Sequence, residues 1–345
     1  MRACVIHGVE DLRLEERPSE PLGERGVRVR VRAGGICGSD LHYYYEGRVG
    51  NFVIKEPLIP GHEFSGEVAE VGPAVQRVKP GDRVAVNPGR SCGHCEFCRR
   101  GEINLCANVF FMGSASKFPH MQGGFREAVA VEESQCTTVP AKVPFTTIAF
   151  AEPLSVALHA IRLAGPLVGK RVLVSGAGPI GLLIVMAARH VGAQSVTSVD
   201  IVAATLRAAK QVGATNTINL REAPDALKDL AASHNGFDVV IEASGAPAAL
   251  ESAINVAKRG GTIVQVGTLP HGGVTAPLNL VMAKELTLKG AMRFGVEFDW
   301  AVELLTSGAL DVGPLLTGEF PAERAAQAFA LARDRNAGLK VMLTF

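Results

Sequence analysis

KRVLVSGAGPIGLLIVMAARHVGA, Lys170–Ala193, reads as an apolar strand, a glycine-rich turn and an apolar helix. The turn is Gly176-x-Gly178-x-x-Gly181, with Pro179 and Ile180 at the mouth of the helix. A lone G-x-G-x-x-G says little. Here a second strand follows, SVTSVD, and it ends at Asp200, 19 residues beyond Gly181. Strand, turn, helix and a following acid form a dinucleotide-binding fingerprint. Gly176 makes the tight turn, Gly178 lets the backbone approach a pyrophosphate, and Gly181 lets helix and strand pack. The phosphate charge meets the helix N-terminus.

Further strand patterns follow in TINL, DVVIEAS and GTIVQVG, separated by Ala-rich helical stretches. The alternation predicts a doubly wound parallel sheet, hence an α/β protein with a Rossmann domain. Val266 and Gly267, at the end of GTIVQVG, are expected at the dinucleotide. A carboxylate at Asp200 favours the 2′-hydroxyl of NAD and repels the 2′-phosphate of NADP. The adjoining IVAATLR sets no base immediately beside it. NAD is therefore the expected cofactor.

Upstream, four of the chain's seven cysteines crowd into NPGRSCGHCEFCRRGEINLC: Cys92, Cys95, Cys98 and Cys106. The opening residues carry no signal-peptide pattern. A reducing, cytoplasmic compartment is expected, which disfavours disulfides. A ferredoxin-type cluster needs C-x3-C-P after the third cysteine, and Cys98 is followed by Arg-Arg-Gly. Zinc fits best: four thiolates complete a tetrahedron and leave no position for substrate. Arg99 and Arg100 either offset that charge or are solvated loop residues.

Two other stretches carry ligand chemistry. GGICGSDLHYYYEGRVGNF contains Cys37, Ser39 and His42, and PGHEFSGEVAEVGPAV contains His62 and Glu63. A reacting zinc needs about three protein ligands and one exchangeable position. GHEFSGEVAEVGPAV matches the signature GHE-x2-G-x5-G-x2-V, and with the cysteine lobe and the GAGPIG turn the chain resembles the zinc-dependent medium-chain alcohol and polyol dehydrogenases. The resemblance spans nearly the whole chain and is nearest to the sorbitol dehydrogenase branch. It implies a GroES-like β-rich catalytic domain over 1–147 and 295–345, with the zinc lobe at about 87–110, and a Rossmann domain over 148–294. The active site is expected in the cleft between them.

By resemblance, Cys37 and His62 bind the catalytic zinc. Where many alcohol dehydrogenases place a later cysteine, AFAEPLSVALHA has Glu152. The same resemblance implies that Glu63 ligates directly and Glu152 acts through water, or that the two exchange. The cation lowers the pKa of a substrate alcohol, whose hydride passes to nicotinamide. Ser39 resembles the first hydroxyl of a proton relay and His42 the relay histidine; capping and plain loop roles are the alternatives.

The chain's three tyrosines are consecutive, Tyr43 to Tyr45. They read either as a β-prone, partly buried segment or as phenols facing a polyhydroxylated substrate, with Tyr43 matching a substrate-side tyrosine of the family. Arg293, in GAMRF, resembles an arginine that reaches the polyol; Phe111 and Phe294 line the pocket or belong to the core. The likeness also extends to hexonate-oxidising relatives, whose substrate carboxylate needs a partner. Arg48, Lys55, Lys117 and His120 are candidates. Related enzymes often carry a base five residues after the ribose acid; here that residue is Thr205, with Arg207 displaced.

The implied partners are a small polyol or sugar acid, two zinc ions, NAD, and further copies of the chain in a homodimer or homotetramer, paired near ELTLKGAM. With 35 basic against 34 acidic side chains, nothing points to nucleic acid or membrane. A non-catalytic, zinc-stapled NAD sensor is the rival of another class; the ligand-type residues Cys37, His62 and Glu152 weigh against it.

Overall fold

The computed structural model describes residues 1–233 and 236–345. The chain forms two compact units. One comprises Met1–Glu152, Gly295–Asp334 and Lys340–Phe345; the other comprises Pro153–Phe294 and Arg335–Leu339. The first boundary falls later than the 147/148 expected, because helix Ala151–Ala164 begins in one unit and continues into the other. Residues 335–339, expected in the catalytic domain, side with the second unit, where Arg335 pairs with Asp200.

In the first unit a hairpin joins β1 (Arg2–Gly8) to β2 (Asp11–Glu16). In β3 (Gly26–Gly35), GVRVRVRAGG alternates strictly: Val27, Val29 and Val31 are buried, while Arg28, Arg30 and Arg32 turn away from the core. Period two is the signature of a strand with one buried face. The arginines meet Glu67 and Glu70 of the neighbouring strand β4 (Glu63–Val71). Between β3 and β4 lies helix α1 (Gly38–Glu46), which contains the whole tyrosine triplet. The β-prone reading of that triplet is corrected: Asp40 at the third helical position bonds the Cys37 backbone N–H, and this N-terminal cap outweighs strand propensity. Strands β5 (Arg83–Val86), β6 (Ala128–Glu132) and β7 (Cys136–Thr138) follow.

The second unit is a single parallel sheet. Its strands are β8 (Arg171–Ser175), β9 (Ser195–Asp200), β10 (Asn216–Asn219), β11 (Phe237–Glu242), β12 (Ala257–Gln265) and β13 (Thr287–Gly290), in the spatial order β10-β9-β8-β11-β12-β13. The order reverses beside β8, which is where doubly wound sheets bind nucleotides. The helix after β8, α3 when α2 is Ala151–Ala164, spans Pro179–His190. It is apolar on every side from Leu182 to Ala188 and correspondingly buried. Among the described residues, no helix is long and apolar enough to cross a membrane.

The chain then returns with β14 (Leu316–Pro321) and β15 (Lys340–Thr344). The first unit's sheet runs β7-β5-β4-β3-β15-β14, with β6 also on β3. Its last strand thus lies against the ends of β3, with Met342 opposite Gly35 and Leu343 opposite Gly34. That register brings Lys340 beside the segment that carries Cys37.

Candidate functional site

The four-cysteine lobe holds its sulfurs close together. Cys92 Sγ lies 3.9 Å and Cys95 Sγ 3.5 Å from Cys98 Sγ, and no disulfide forms. A tetrahedral zinc with bonds of about 2.3 Å sets its sulfurs about 3.8 Å apart. Cys106 Sγ accepts the N–H groups of Cys92 (3.2 Å) and Asn108 (3.4 Å), as a thiolate ligand does. Backbone N–H groups of Cys98 and Ala107 pull the Cys95 thiol down to about 6, whereas burial pushes Cys98 up to about 11. Crowded thiols cannot all ionise without a cation, so this donor set fits a structural zinc. Arg100 is occupied by Glu96 and Glu102, so it does not offset the thiolates.

A second cluster forms at the ends of β3 and β4. Donor atoms of Cys37, His62 and Glu63 all lie within 4.8 Å of one another. The local sequence makes the room. A Cβ on Gly35 would overlap the Glu63 carboxylate, and Gly61, at φ +90°, turns the chain into His62 with its α-hydrogen against the Phe125 ring. Glu152, from the first turn of α2, is buried beside them and feels the charges of His62, Glu63 and Cys37.

Two residues that sequence reasoning missed organise this cluster. Asp40, fully buried, accepts the backbone N–H of Cys37 at 3.0 Å and of Gly61 at 3.1 Å. It ties the two ligand-bearing segments together and stands 3.7 Å from His62 Nδ1, a buried nitrogen without a hydrogen bond. A carboxylate behind a histidine is the usual orienting partner of a metal ligand. Its signal was present as a capping-box acid three residues after Cys37. Lys340 carried no such signal. Its ammonium donates to Glu63 Oε1 (2.8 Å), Glu63 Oε2 (2.6 Å) and Ile36 O (3.1 Å), which uses all three N–H groups.

The electrostatics are lopsided. Burial, then Glu63, pushes the Cys37 thiol up to about 12. Burial pushes Glu152 up to about 8, with His62 opposing and Glu63 and Cys37 adding. Burial likewise raises Asp40. Three carboxyls and a thiol face one lysine and one histidine, all of them buried except Cys37, which is half-buried. Such a set is stable only if protonated or if it receives a cation, and the donor types suit zinc.

The other anticipated residues divide. Ser39 stands near the Cys37 thiol and favours its ionised form, a smaller effect than that of burial. His42 is 55% exposed on α1, with Nδ1 2.8 Å from Glu46 Oε1. The Phe111 ring lies 5.7 Å from the His62 ring. Tyr43 is buried in a core cluster, and its hydroxyl accepts the Ala115 N–H at 2.9 Å. Arg293 takes a positive φ of 55°, and Phe294 is buried. Among the carboxylate candidates, His120 is removed: Nδ1 donates to Lys117 O and Nε2 accepts the Lys55 N–H, both at 2.8 Å. Arg48 donates to Gly50 O, while Lys55 and Lys117 are exposed.

In the second unit the glycine-rich turn is shaped as anticipated. Gly176 has φ +96°, and a Cβ there would stand 2.8 Å from Ser244 N; a Cβ on Gly181 would land on the Gly176 carbonyl. Gly178 has nothing within 4 Å of its Cβ position, which leaves space for a phosphate. Gly178 precedes Pro179 at the start of α3. Val266 and Gly267 bond the Glu242 carbonyl at the end of β11. This cradle fits a dinucleotide. The adjoining IVAATLR reaches Asp200 only through main-chain N–H groups, but a base from a distant part of the chain does stand beside it. That base is Arg335, 2.6 Å from Asp200 Oδ2 and 135 residues away in sequence. Thr205 is buried, its hydroxyl donating to Val202 O, and Arg207 is exposed.

Comparison with known proteins agrees with these two halves. Residues 23–141 match the alcohol dehydrogenase GroES-like domain and residues 179–307 the zinc-binding dehydrogenase domain. L-idonate 5-dehydrogenase (NAD(P)(+)) of Escherichia coli is 40% identical over 100% of this chain and 98% of its own length. The crystal structure of L-idonate 5-dehydrogenase from the same species superposes with a TM-score of 0.94 at 40% identity, covering 100% of this chain and 98% of that one. Sorbitol dehydrogenase of Gallus gallus is 39% identical over 99% of this chain and 95% of its own length. A GroES-like half with a buried thiol–imidazole–carboxylate cluster and a parallel half with a dinucleotide cradle thus lead to one conclusion: the chain belongs to the zinc-binding dehydrogenases.

Proposed function

We propose that this dehydrogenase oxidises a secondary alcohol of a sugar acid with NAD, converting L-idonate to 5-keto-gluconate and running the reverse reaction when 5-keto-gluconate is supplied. The observation that carries the reading is the buried, acid-rich cluster of Cys37, His62, Glu63 and Glu152. In this reading Cys37, His62 and a carboxylate hold the reacting zinc, and Cys92, Cys95, Cys98 and Cys106 hold a second. Zinc, when bound, supplies Lewis-acid stabilisation of the deprotonated alcohol. NAD, when bound, supplies the hydride acceptor.

The chain's own residues do the rest. Lys340 occupies both oxygens of Glu63 and so keeps that carboxylate turned toward β15. Glu152 is left as the carboxyl free to approach or leave the metal. Ser39 Oγ, beside the Cys37 sulfur, takes the alcohol proton. His42 passes it to water. Because a carboxylate only accepts, Nδ1–H of His42 points to Glu46 and Nε2 is the proton acceptor. Asp200 favours NAD through the ribose 2′-hydroxyl. The assembly is a cytoplasmic homodimer or homotetramer built on β13, an exposed edge strand with Leu288 43% exposed.

A secondary-polyol dehydrogenase is the second reading, favoured by the likeness to sorbitol dehydrogenases. NAD-reduction assays with L-idonate, sorbitol, xylitol and threonine separate the two. The highest kcat/KM is expected with L-idonate. A sorbitol or xylitol lead installs the polyol reading, and inactivity on all three polyhydroxylated substrates defeats both.

A further inference from the structure

Asp200 ends β9 at the position where a dinucleotide's adenosine ribose is held. Its carboxylate is already fully engaged. Oδ1 accepts the N–H groups of Ile201 (2.7 Å) and Val202 (3.1 Å); Oδ2 accepts those of Ala177 (2.7 Å) and Arg335 (2.6 Å). A carboxylate offers about four acceptor positions. Three of the donors are main-chain groups held by the strand end and the Gly176–Gly181 turn. Only Arg335 is a side chain, and at 50% exposure it is free to swing into water while Asp200, 3% exposed, stays put.

Two consequences follow for a bound ribose. A 2′-hydroxyl reaches Asp200 only by taking the position the guanidinium holds. A 2′-phosphate, repelled by a bare carboxylate, instead meets one whose charge is offset, with the guanidinium fork available for the phosphate oxygens. We infer that Arg335 is the residue that sets discrimination between NAD and NADP: it competes with the ribose of NAD and receives the 2′-phosphate of NADP, which narrows the preference that Asp200 alone would impose. This rests on the dinucleotide-binding reading of the second unit. It makes the C-terminal return of the chain, rather than the loop after β9, the place where cofactor choice is adjusted.

The test is direct binding to the zinc-loaded, full-length protein. NADH and NADPH are titrated by nicotinamide fluorescence, and ADP-ribose and its 2′-phosphate by calorimetry, with wild type, Arg335→Ala and Arg335→Lys. In Arg335→Ala the ratio of NADPH to NADH dissociation constants is expected to rise about tenfold, with NADH bound as tightly as before or more tightly. Arg335→Lys, which keeps the charge and loses the fork, should fall between. The ADP-ribose pair should show the same ordering without the nicotinamide. A rise of less than about threefold in Arg335→Ala, or a fall, overturns the inference while leaving the dinucleotide site intact. Failure of wild type to bind either cofactor overturns both.

Discussion

Lys340 Nζ bonds both oxygens of Glu63, at 2.8 and 2.6 Å, with both side chains almost wholly removed from solvent. The pair closes β15 against β3 and β4 and settles which carboxylate of the cluster is tethered. Lys340→Met should leave Glu63 as an uncompensated buried charge. That costs about 3–5 kcal/mol of unfolding free energy at neutral pH, measured by urea denaturation. Lys340→Met with Glu63→Leu should recover much of the loss. A double variant no more stable than the single would remove the ion pair from the argument.

Gly178 and Gly181 should respond oppositely to alanine. Space is open around the Gly178 Cβ, whereas at Gly181 the Cβ meets the Gly176 carbonyl. Gly178→Ala should fold with an unchanged melting temperature and bind NADH about tenfold more weakly, because the methyl occupies the phosphate approach. Gly181→Ala should cost about 3 kcal/mol by displacing backbone. Equal melting temperatures for the two variants would contradict this contrast.

Zinc removal should leave the thiols of the lobe unequally reactive, Cys95 ahead of Cys98. Cys95 is drawn down to about 6 and the Cys92 thiol is lowered as well, while Cys98 is held at about 11. In chelator-treated protein, iodoacetamide labelling of Cys95 should climb as pH rises through 6, ahead of Cys98. Restored zinc should block it. Cys95→Ser should lower the zinc content from about two to about one per subunit. Mass spectrometry of labelled peptides and metal analysis read both outcomes.

Glu133 gives the fold a pH-dependent component. Its Oε1 accepts the backbone N–H groups of Arg77 and Gln76, which hold the carboxyl below its usual range. A depressed folded pKa contributes stability above the unfolded value, about 4.3, and loses it as pH falls through the folded value. Glu133→Gln should therefore melt earlier than wild type at neutral pH. The two melting curves should converge as the solution is acidified. A constant gap across the titration would show that the carboxylate's charge contributes nothing.

In the proposed relay, His42, exposed on α1, is the residue that hands protons to water. His42→Ala should slow turnover about 10²-fold, most severely at low pH, where bulk base is scarce. Added imidazole should restore part of the rate. Loss of NADH binding in this variant would instead mark a structural role, and steady-state kinetics beside a fluorescence titration separates the two.

The motifs legible in the sequence share one property: the residues that cooperate lie close together along the chain. Gly176, Gly178 and Gly181 share a single turn, and Cys92, Cys95, Cys98 and Cys106 a single lobe, so spacing alone reports the chemistry. Cys37, His62 and Glu152 lie in separate segments, and family likeness rather than spacing linked them. The tyrosine triplet misled because strand propensity is local and weak, whereas the cap from Asp40 set a helix.

The sequence by itself determined the parallel dinucleotide half, the cysteine staple and the residue types of the buried cluster, since hydrophobic period and ligand spacing are short-range quantities. Tertiary structure alone decided the pairing of Lys340 with Glu63, 277 residues apart, and of Arg335 with Asp200, 135 residues apart. Partners at such range are chosen by strand order and register, by β15 lying on β3 and by the tail rejoining the parallel sheet's unit. No local pattern records which charged side chains a folded chain will set face to face.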